Sequence, residues 1–167
     1  VLAADAPLSL QVHPTREHAA QQFGIEEAAG IPRDADERNY RDRNHKPELI
    51  LALEDGFTAL CGIRPEDERR RIVDELGLAE LVDAGDVRGT FDKLLTGRDT
   101  AEVAALVEQT VTAAKSAAAA ARSSEFIDAY RWVVRLAEAY PGDPGVLLSL
   151  FLNLVALAAG EALYLPA

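Results

Sequence analysis

Leu49-Ile50-Leu51-Ala52-Leu53-Glu54-Asp55-Gly56-Phe57-Thr58-Ala59-Leu60-Cys61-Gly62-Ile63-Arg64-Pro65 is the stretch in which the chain changes character. Two strand-like apolar runs, 46–54 and 57–63, flank Glu54-Asp55-Gly56. Asp-Gly between apolar runs predicts a β-hairpin, because glycine tolerates the positive φ that tight hairpin turns require. Past Arg64-Pro65 the apolar period lengthens, which predicts helices to about Tyr140. Pro65 suits a first helical position, and Glu66, Asp67 and Glu68 complement the positive end of the helix dipole. Ile72, Val73 and Leu76 supply the buried face and Gly77 closes it.

Shorter segments follow at 78–83 and 86–95, with Gly85 and Gly97 as punctuation. A longer helix starts near Thr100, with Val103, Leu106, Val107, Val111 and Ala114 on one side. It runs into Ala117 to Ala121, a stretch of high helix propensity. Ser123 or Ser124 caps the next helix, which places Phe126, Ile127, Tyr130, Val133, Val134 and Ala137 on one stripe. Pro141-Gly142-Asp143-Pro144-Gly145 is expected to end the helical region.

Strand character flanks this block. Residues 1–13 read as a strand with its lead-in, where Ser9, Gln11 and His13 alternate with Leu8, Leu10 and Val12. Pro14 stops it, and Thr15 caps a helix carrying Glu17, Ala19, Ala20 and Phe23, ended by Gly30-Ile31-Pro32. Residues 31–45 form a charged surface loop. Strands at 152–157 and 162–165 flank a turn at 158–161. The predicted class is α+β: β segments at 1–64 and 144–167 with an all-helical insertion at 65–143.

Composition narrows the function. The 167 residues are 49% hydrophobic and 27% charged, an ordinary globular balance with enough apolar material for a core. The net charge of -11 disfavours nucleic acid and anionic membranes as partners, although a few local cations can still hold a small anion. Leu150 to Ala159 is too short to span a bilayer. A single cysteine, Cys61, rules out an intrachain disulfide and fits a cytoplasmic location. Cys61 itself reads as a small buried hydrophobe. The absence of methionine leads us to expect an excised segment of a longer product.

Two short stretches could carry chemistry. In an extended Pro7-Leu8-Ser9-Leu10-Gln11-Val12-His13-Pro14, Gln11 and His13 point to one face and could reach one metal ion. Taken alone, their plainer reading is a polar strand face with a satisfied imidazole. In Asn44-His45-Lys46-Pro47-Glu48-Leu49, Lys46 and Glu48 share a face. Glu48 opens an apolar run, where a carboxylate is costly unless it is paired or bound to a cation. Its plainer reading is a strand-end ion pair. Three N/O donors with an open position make a catalytic metal pattern.

Pro-Leu-Ser-Leu-Gln-Val-His-Pro at 7–14, His-Lys-Pro-Glu-Leu at 45–49, Ala-Leu-Cys-Gly-Ile-Arg-Pro at 59–65 and Gly-Glu-Ala-Leu-Tyr-Leu-Pro-Ala at 160–167 together resemble the signature of type I phosphomannose isomerases. The resemblance implies partial cupin β-barrel strands at both ends of the helical insertion. It implies zinc held by Gln11, His13 and Glu48, with Lys46 catalytic and Ser9 and Lys46 at the substrate. The substrate it implies is a small phosphorylated sugar, mannose 6-phosphate, exchanged with fructose 6-phosphate by proton transfer between C1 and C2 through an enediol-like intermediate. A fourth zinc ligand, a histidine, and an active-site arginine follow later in that family's pattern than Ala167. The alternatives are a catalytically incompetent fragment that self-associates through open sheet edges, or a non-enzymatic module that binds metal or sugar phosphate.

The remaining polar residues have plainer expectations. His18 is solvated on its helix, and His45 faces away from Lys46. Arg64 reads as a surface cation at a strand-to-helix junction. Arg69, Arg70 and Arg71 read as solvated partners of nearby acids. Trp132 reads as packing beside the main stripe.

Overall fold

The computed structural model describes residues 6–96, 100–120 and 124–166. Gly97, Ala121, Ser123, residues 1–5 and Ala167 lie outside them. In chain order the elements are α1 (Arg16–Ala28), β1 (Glu48–Leu51), β2 (Phe57–Ile63), α2 (Glu66–Glu75), α3 (Val87–Thr96), α4 (Thr100–Ala119), α5 (Ile127–Ala139), α6 (Pro144–Leu148), a 3-10 turn (Ser149–Phe151), β3 (Leu152–Leu157) and β4 (Ala162–Leu165). The mixture of helix and strand is the predicted α+β class. The chain divides into two compact units: residues 58–156 with the segment through Ser9, and residues 10–57 with 157–167.

The helical unit is built on the period read from the sequence. Ile72 and Val73 of α2, Val107 and Ala114 of α4, Tyr130 and Val133 of α5, and Val146 to Leu148 of α6 are all buried in one apolar cluster. Thr110 is fully buried there, and its hydroxyl donates to the Leu106 carbonyl at 2.8 Å, so the hydroxyl is not stranded. Gly77 follows α2 at φ 67°, a left-handed position that favours glycine, and Leu78 N–H bonds back to the Val73 carbonyl. The Tyr130 hydroxyl donates to the Glu75 carboxylate at 2.7 Å. Burial first, and Glu75 second, push its phenol well above the ordinary range.

Several sequence expectations need correction. The Asp-Gly turn does not make a hairpin of the two runs it separates: β1 pairs with β4, and β2 pairs with β3. The turn signal is local, whereas the partner strands lie about a hundred residues along the chain. Residues 8–13 form no strand among the described residues. Alternation gives them the pattern, but no described backbone hydrogen bond gives them a ladder. Pro141 to Gly145 does not end the helical region. The Asp143 side chain accepts from Gly145 N–H and Pro144 sits at the first helical position, so the same residues open α6.

Two arginines expected in solvent are buried. Arg69 donates to the carbonyl oxygens of Ala84 and Arg64. Arg64 pairs with Glu68 at 3.2 Å, and its guanidinium lies 5.8 Å from the Phe126 ring centroid. Arg70 and Arg71 do pair with exposed acids, as predicted. Cys61 is only partly buried, and burial raises its thiol pKa. The residue after it, Gly62, has φ 64°, and an added Cβ would lie 3.3 Å from the Asn153 amide. That amide donates to the Cys61 carbonyl at 3.1 Å, joining β2 to β3.

In the other unit, the predicted cap is present: the Thr15 hydroxyl accepts from His18 N–H at 3.2 Å. The loop 31–45 is lashed to α1 by ion pairs. The Arg38 side chain is fully buried; it donates to the Tyr40 and Ile31 carbonyls and pairs with Glu26 and Glu27 at 2.9 Å each. Glu26 also accepts from Tyr40 N–H at 2.8 Å and from Asn39 N–H at 3.2 Å. Burial pushes the Glu26 carboxyl pKa up, but these two N–H groups and Arg38 outweigh it and hold the pKa below the ordinary 4.5.

Two predictions follow from these contacts. Leu148 is fully buried, so Leu148→Ala should cost about 2–5 kcal/mol in urea unfolding, with little change in helix content by circular dichroism. Because the folded Glu26 pKa is depressed, its stabilising contribution is complete above 4.5 and is lost as pH falls through the folded value. Glu26→Gln should therefore flatten the acid limb of a plot of thermal midpoint against pH. An unaltered limb would show that Glu26 contributes none of it.

Candidate metal centre

The β1–β4 ladder sets the position of Glu48. Its antiparallel register pairs Glu48 with Leu165, Leu49 with Tyr164, Ile50 with Leu163 and Leu51 with Ala162. Directly opposed residues share a face. Glu48, Ile50, Leu163 and Leu165 are half-buried, whereas Leu49, Leu51, Ala162 and Tyr164 are exposed. Glu48 thus stands at the end of a half-buried apolar row, where its charge calls for a partner.

That partner is a cluster of three other side chains. Lys46 Nζ lies 2.9 Å from Glu48 Oε1 and donates to Gln11 Oε1. His13 Nε2 lies 3.6 Å from Glu48 Oε2. The other imidazole nitrogen, Nδ1, is 2.7 Å from the Lys46 carbonyl oxygen. A carbonyl can only accept, so Nδ1 carries the proton. In the neutral ring Nε2 then presents a lone pair on the side of Glu48, the arrangement in which a ligating histidine is oriented by a backbone carbonyl.

All four residues singled out at 11, 13, 46 and 48 therefore converge, although 8–13 is not a strand. The plainer sequence reading of Glu48, a strand-end ion pair, is also realised through Lys46. Ser9 is exposed and is grouped with the helical unit. His18 is exposed and meets Tyr40 edge-on at 6.0 Å between centroids, in keeping with a solvated role. His45 is half-buried, and its Nδ1 has no hydrogen-bond partner among the described residues.

The donor set suits a cation. Gln11 Oε1, the Glu48 carboxylate and a neutral His13 Nε2 are all electron-pair donors of the N/O type that zinc accepts. The Lys46 ammonium already bridges two of them, so the oxygens are oriented toward positive charge. Among the described residues no group of three or more His, Cys, Asp or Glu gathers, because one donor here is an amide. Sequence reasoning missed the Nδ1 anchor on the Lys46 carbonyl, since a backbone acceptor leaves no mark in residue identity.

Comparison with known proteins shows what the chain is similar to. Residues 1–66 match the model described as phosphomannose isomerase type I, catalytic domain. The mannose-6-phosphate isomerase of Escherichia coli (strain K12) is 34% identical over 99% of this chain and 42% of its own length. The human mannose-6-phosphate isomerase is 31% identical over 100% of this chain and 41% of its own. A crystal structure of mannose 6-phosphate isomerase from Salmonella typhimurium, bound to its substrate fructose 6-phosphate and zinc, superposes with a TM-score of 0.67. It is 29% identical over 99% of this chain and 42% of that one. The chain thus spans about two fifths of the length of these relatives.

The tautomer offers a direct check. Nitrogen-15 spectra of the neutral His13 ring should show the proton on Nδ1. A predominantly Nε2-protonated ring would contradict the anchoring by Lys46.

Proposed function

We propose that this chain belongs to the type I phosphomannose isomerase family and carries part of the active site of a zinc-dependent isomerase that interconverts mannose 6-phosphate and fructose 6-phosphate. The observation that carries this reading is the convergence of Gln11, His13, Lys46 and Glu48 around one carboxylate. We assign Gln11 Oε1, His13 Nε2 and Glu48 to the metal. Zinc, when bound, supplies a Lewis acid that polarises a sugar oxygen. We assign Lys46 to the substrate. As a proton moves between C1 and C2, negative charge develops on the sugar oxygens, and an ammonium held beside Glu48 can compensate it. Ser9 is assigned to the substrate by its place in the matched motif alone. The finer architecture we propose is partial cupin β-barrel strands on either side, in sequence, of the helical block.

The activity belongs to the longer protein in this reading. There, Glu48→Gln should strip zinc, measured by atomic absorption, and reduce isomerase turnover by about a thousandfold or more, a loss of roughly 4 kcal/mol or more of transition-state stabilisation. A variant with normal zinc content and turnover would sink the assignment. The 167-residue chain alone should show no turnover. It should also self-associate in sedimentation velocity, because Leu49, Leu51 and Tyr164 form an exposed apolar face. Measurable turnover by the isolated chain would overturn the view that it is an incomplete site.

A further inference from the structure

A second feature lies wholly within the helical unit. A groove of about 450 Å³ runs between α5 and the β2–β3 ladder, lined by Arg64, Arg131, Trp132, Arg135, Leu154 and Ala156 among others. Its volume suits a small molecule. Arg135 lies 4.8 Å over the Trp132 ring. A guanidinium stacked on an aromatic face keeps its five N–H donors in its own plane, free to take an oxyanion through two bonds. No ion pair joins Arg135 to a carboxylate among the described residues. Arg131, four residues earlier and so on the same helix face, lines the same groove.

Arg64 also lines the groove, and it pairs with Glu68 at 3.2 Å. The Arg64 side chain is 10% exposed, and its Nε has no hydrogen-bond partner among the described residues. The carboxylates that line the groove are already engaged. Glu125 pairs with Arg71, and Asp128 pairs with Arg131 at 3.0 Å. Arg64 and Arg131 are thus each balanced by a carboxylate, and Arg135 is the lining cation with no ion pair among the described residues, in a chain whose net charge is -11. Global repulsion disfavours a polyanion there, whereas a small dianion is governed by charges within a Debye length.

We propose that this groove binds the phosphoryl group of a small phosphate monoester or inorganic phosphate, with Arg135 as the bidentate donor and Arg131 in support. The site is independent of Gln11, His13, Lys46 and Glu48, so it stands or falls apart from the isomerase assignment.

Trp132 is the single tryptophan of the chain, which makes it a clean reporter. Its fluorescence should change saturably on titration with inorganic phosphate and with mannose 6-phosphate. It should not change with mannose or with sodium chloride at matched ionic strength. Arg135→Gln should weaken the response at least about tenfold, as loss of a charge-assisted bidentate contact implies. Arg131→Gln should weaken it less, and Glu48→Gln should leave it intact. Tighter binding of mannose 6-phosphate than of phosphate would extend the site to the sugar, and equal binding would confine it to the phosphoryl group. The proposal is overturned if neither ligand gives a saturable change, if sodium chloride reproduces it, or if both arginine variants, folded by circular dichroism, bind as the parent does.

Discussion

The hydrogen bond from His13 Nδ1 to the Lys46 carbonyl is the constraint on which the geometry of the candidate metal centre depends. It joins two segments 33 residues apart in sequence, and it does so with the backbone of the residue whose side chain faces the same carboxylate. One contact therefore fixes the imidazole tautomer, the ring orientation and the distance between the two motifs. Without it, Gln11 and His13 would sit on a segment with no ladder of its own. With it, an irregular stretch acquires the precision usually supplied by a strand. Glu48 needs no such help, because the β1–β4 register already places it.

The two units solve the problem of buried charge in different ways. In the helical unit, Arg69 is satisfied by backbone carbonyls and Tyr130 by one carboxylate, beside a largely apolar core. In the other unit the loop 31–45 is held by Arg38, fully buried and saturated by two carbonyls and two carboxylates. A long loop with few apolar residues cannot be fixed by hydrophobic burial, so ion pairs and carbonyls take that role.

What could be read from the sequence divides along the same physical line. Periodicity located α2, α4 and α5 and the bounds of β3 and β4, because each depends on its own residues. Thr15 and Gly77 were legible for the same reason: a cap is a local hydrogen bond and a left-handed turn a local conformation. The β1–β4 and β2–β3 pairings were not legible, since the Asp-Gly signal is local and the partners are distant. The burial of Arg64 and Arg69 was missed because their acceptors come from other elements. Pro141 to Gly145 was misread in another way: Asp143 and Pro144 serve both as a stop and as a start, and only the following apolar run, Val146 to Leu148, distinguishes the two. At the site, motif spacing named the four side chains, whereas the backbone anchor that orients one of them is chemically silent in a sequence.

The pairing of β2 with β3 has a further consequence. Arg64 N–H bonds to the Phe151 carbonyl at 2.8 Å, just where the chain leaves β2 and just before it returns in β3. The helical block is therefore a loop whose two ends are already pinned together. The entropy of closing such a loop grows only with the logarithm of its length, about 0.6 kcal/mol for each doubling. Chain can be added in the turns between these helices at little entropic cost to the β2–β3 ladder, provided the clamp at its base is kept. The fold thus separates a part free to vary in length from a part, the strand register, where a shift of one residue would turn every side chain to the wrong face.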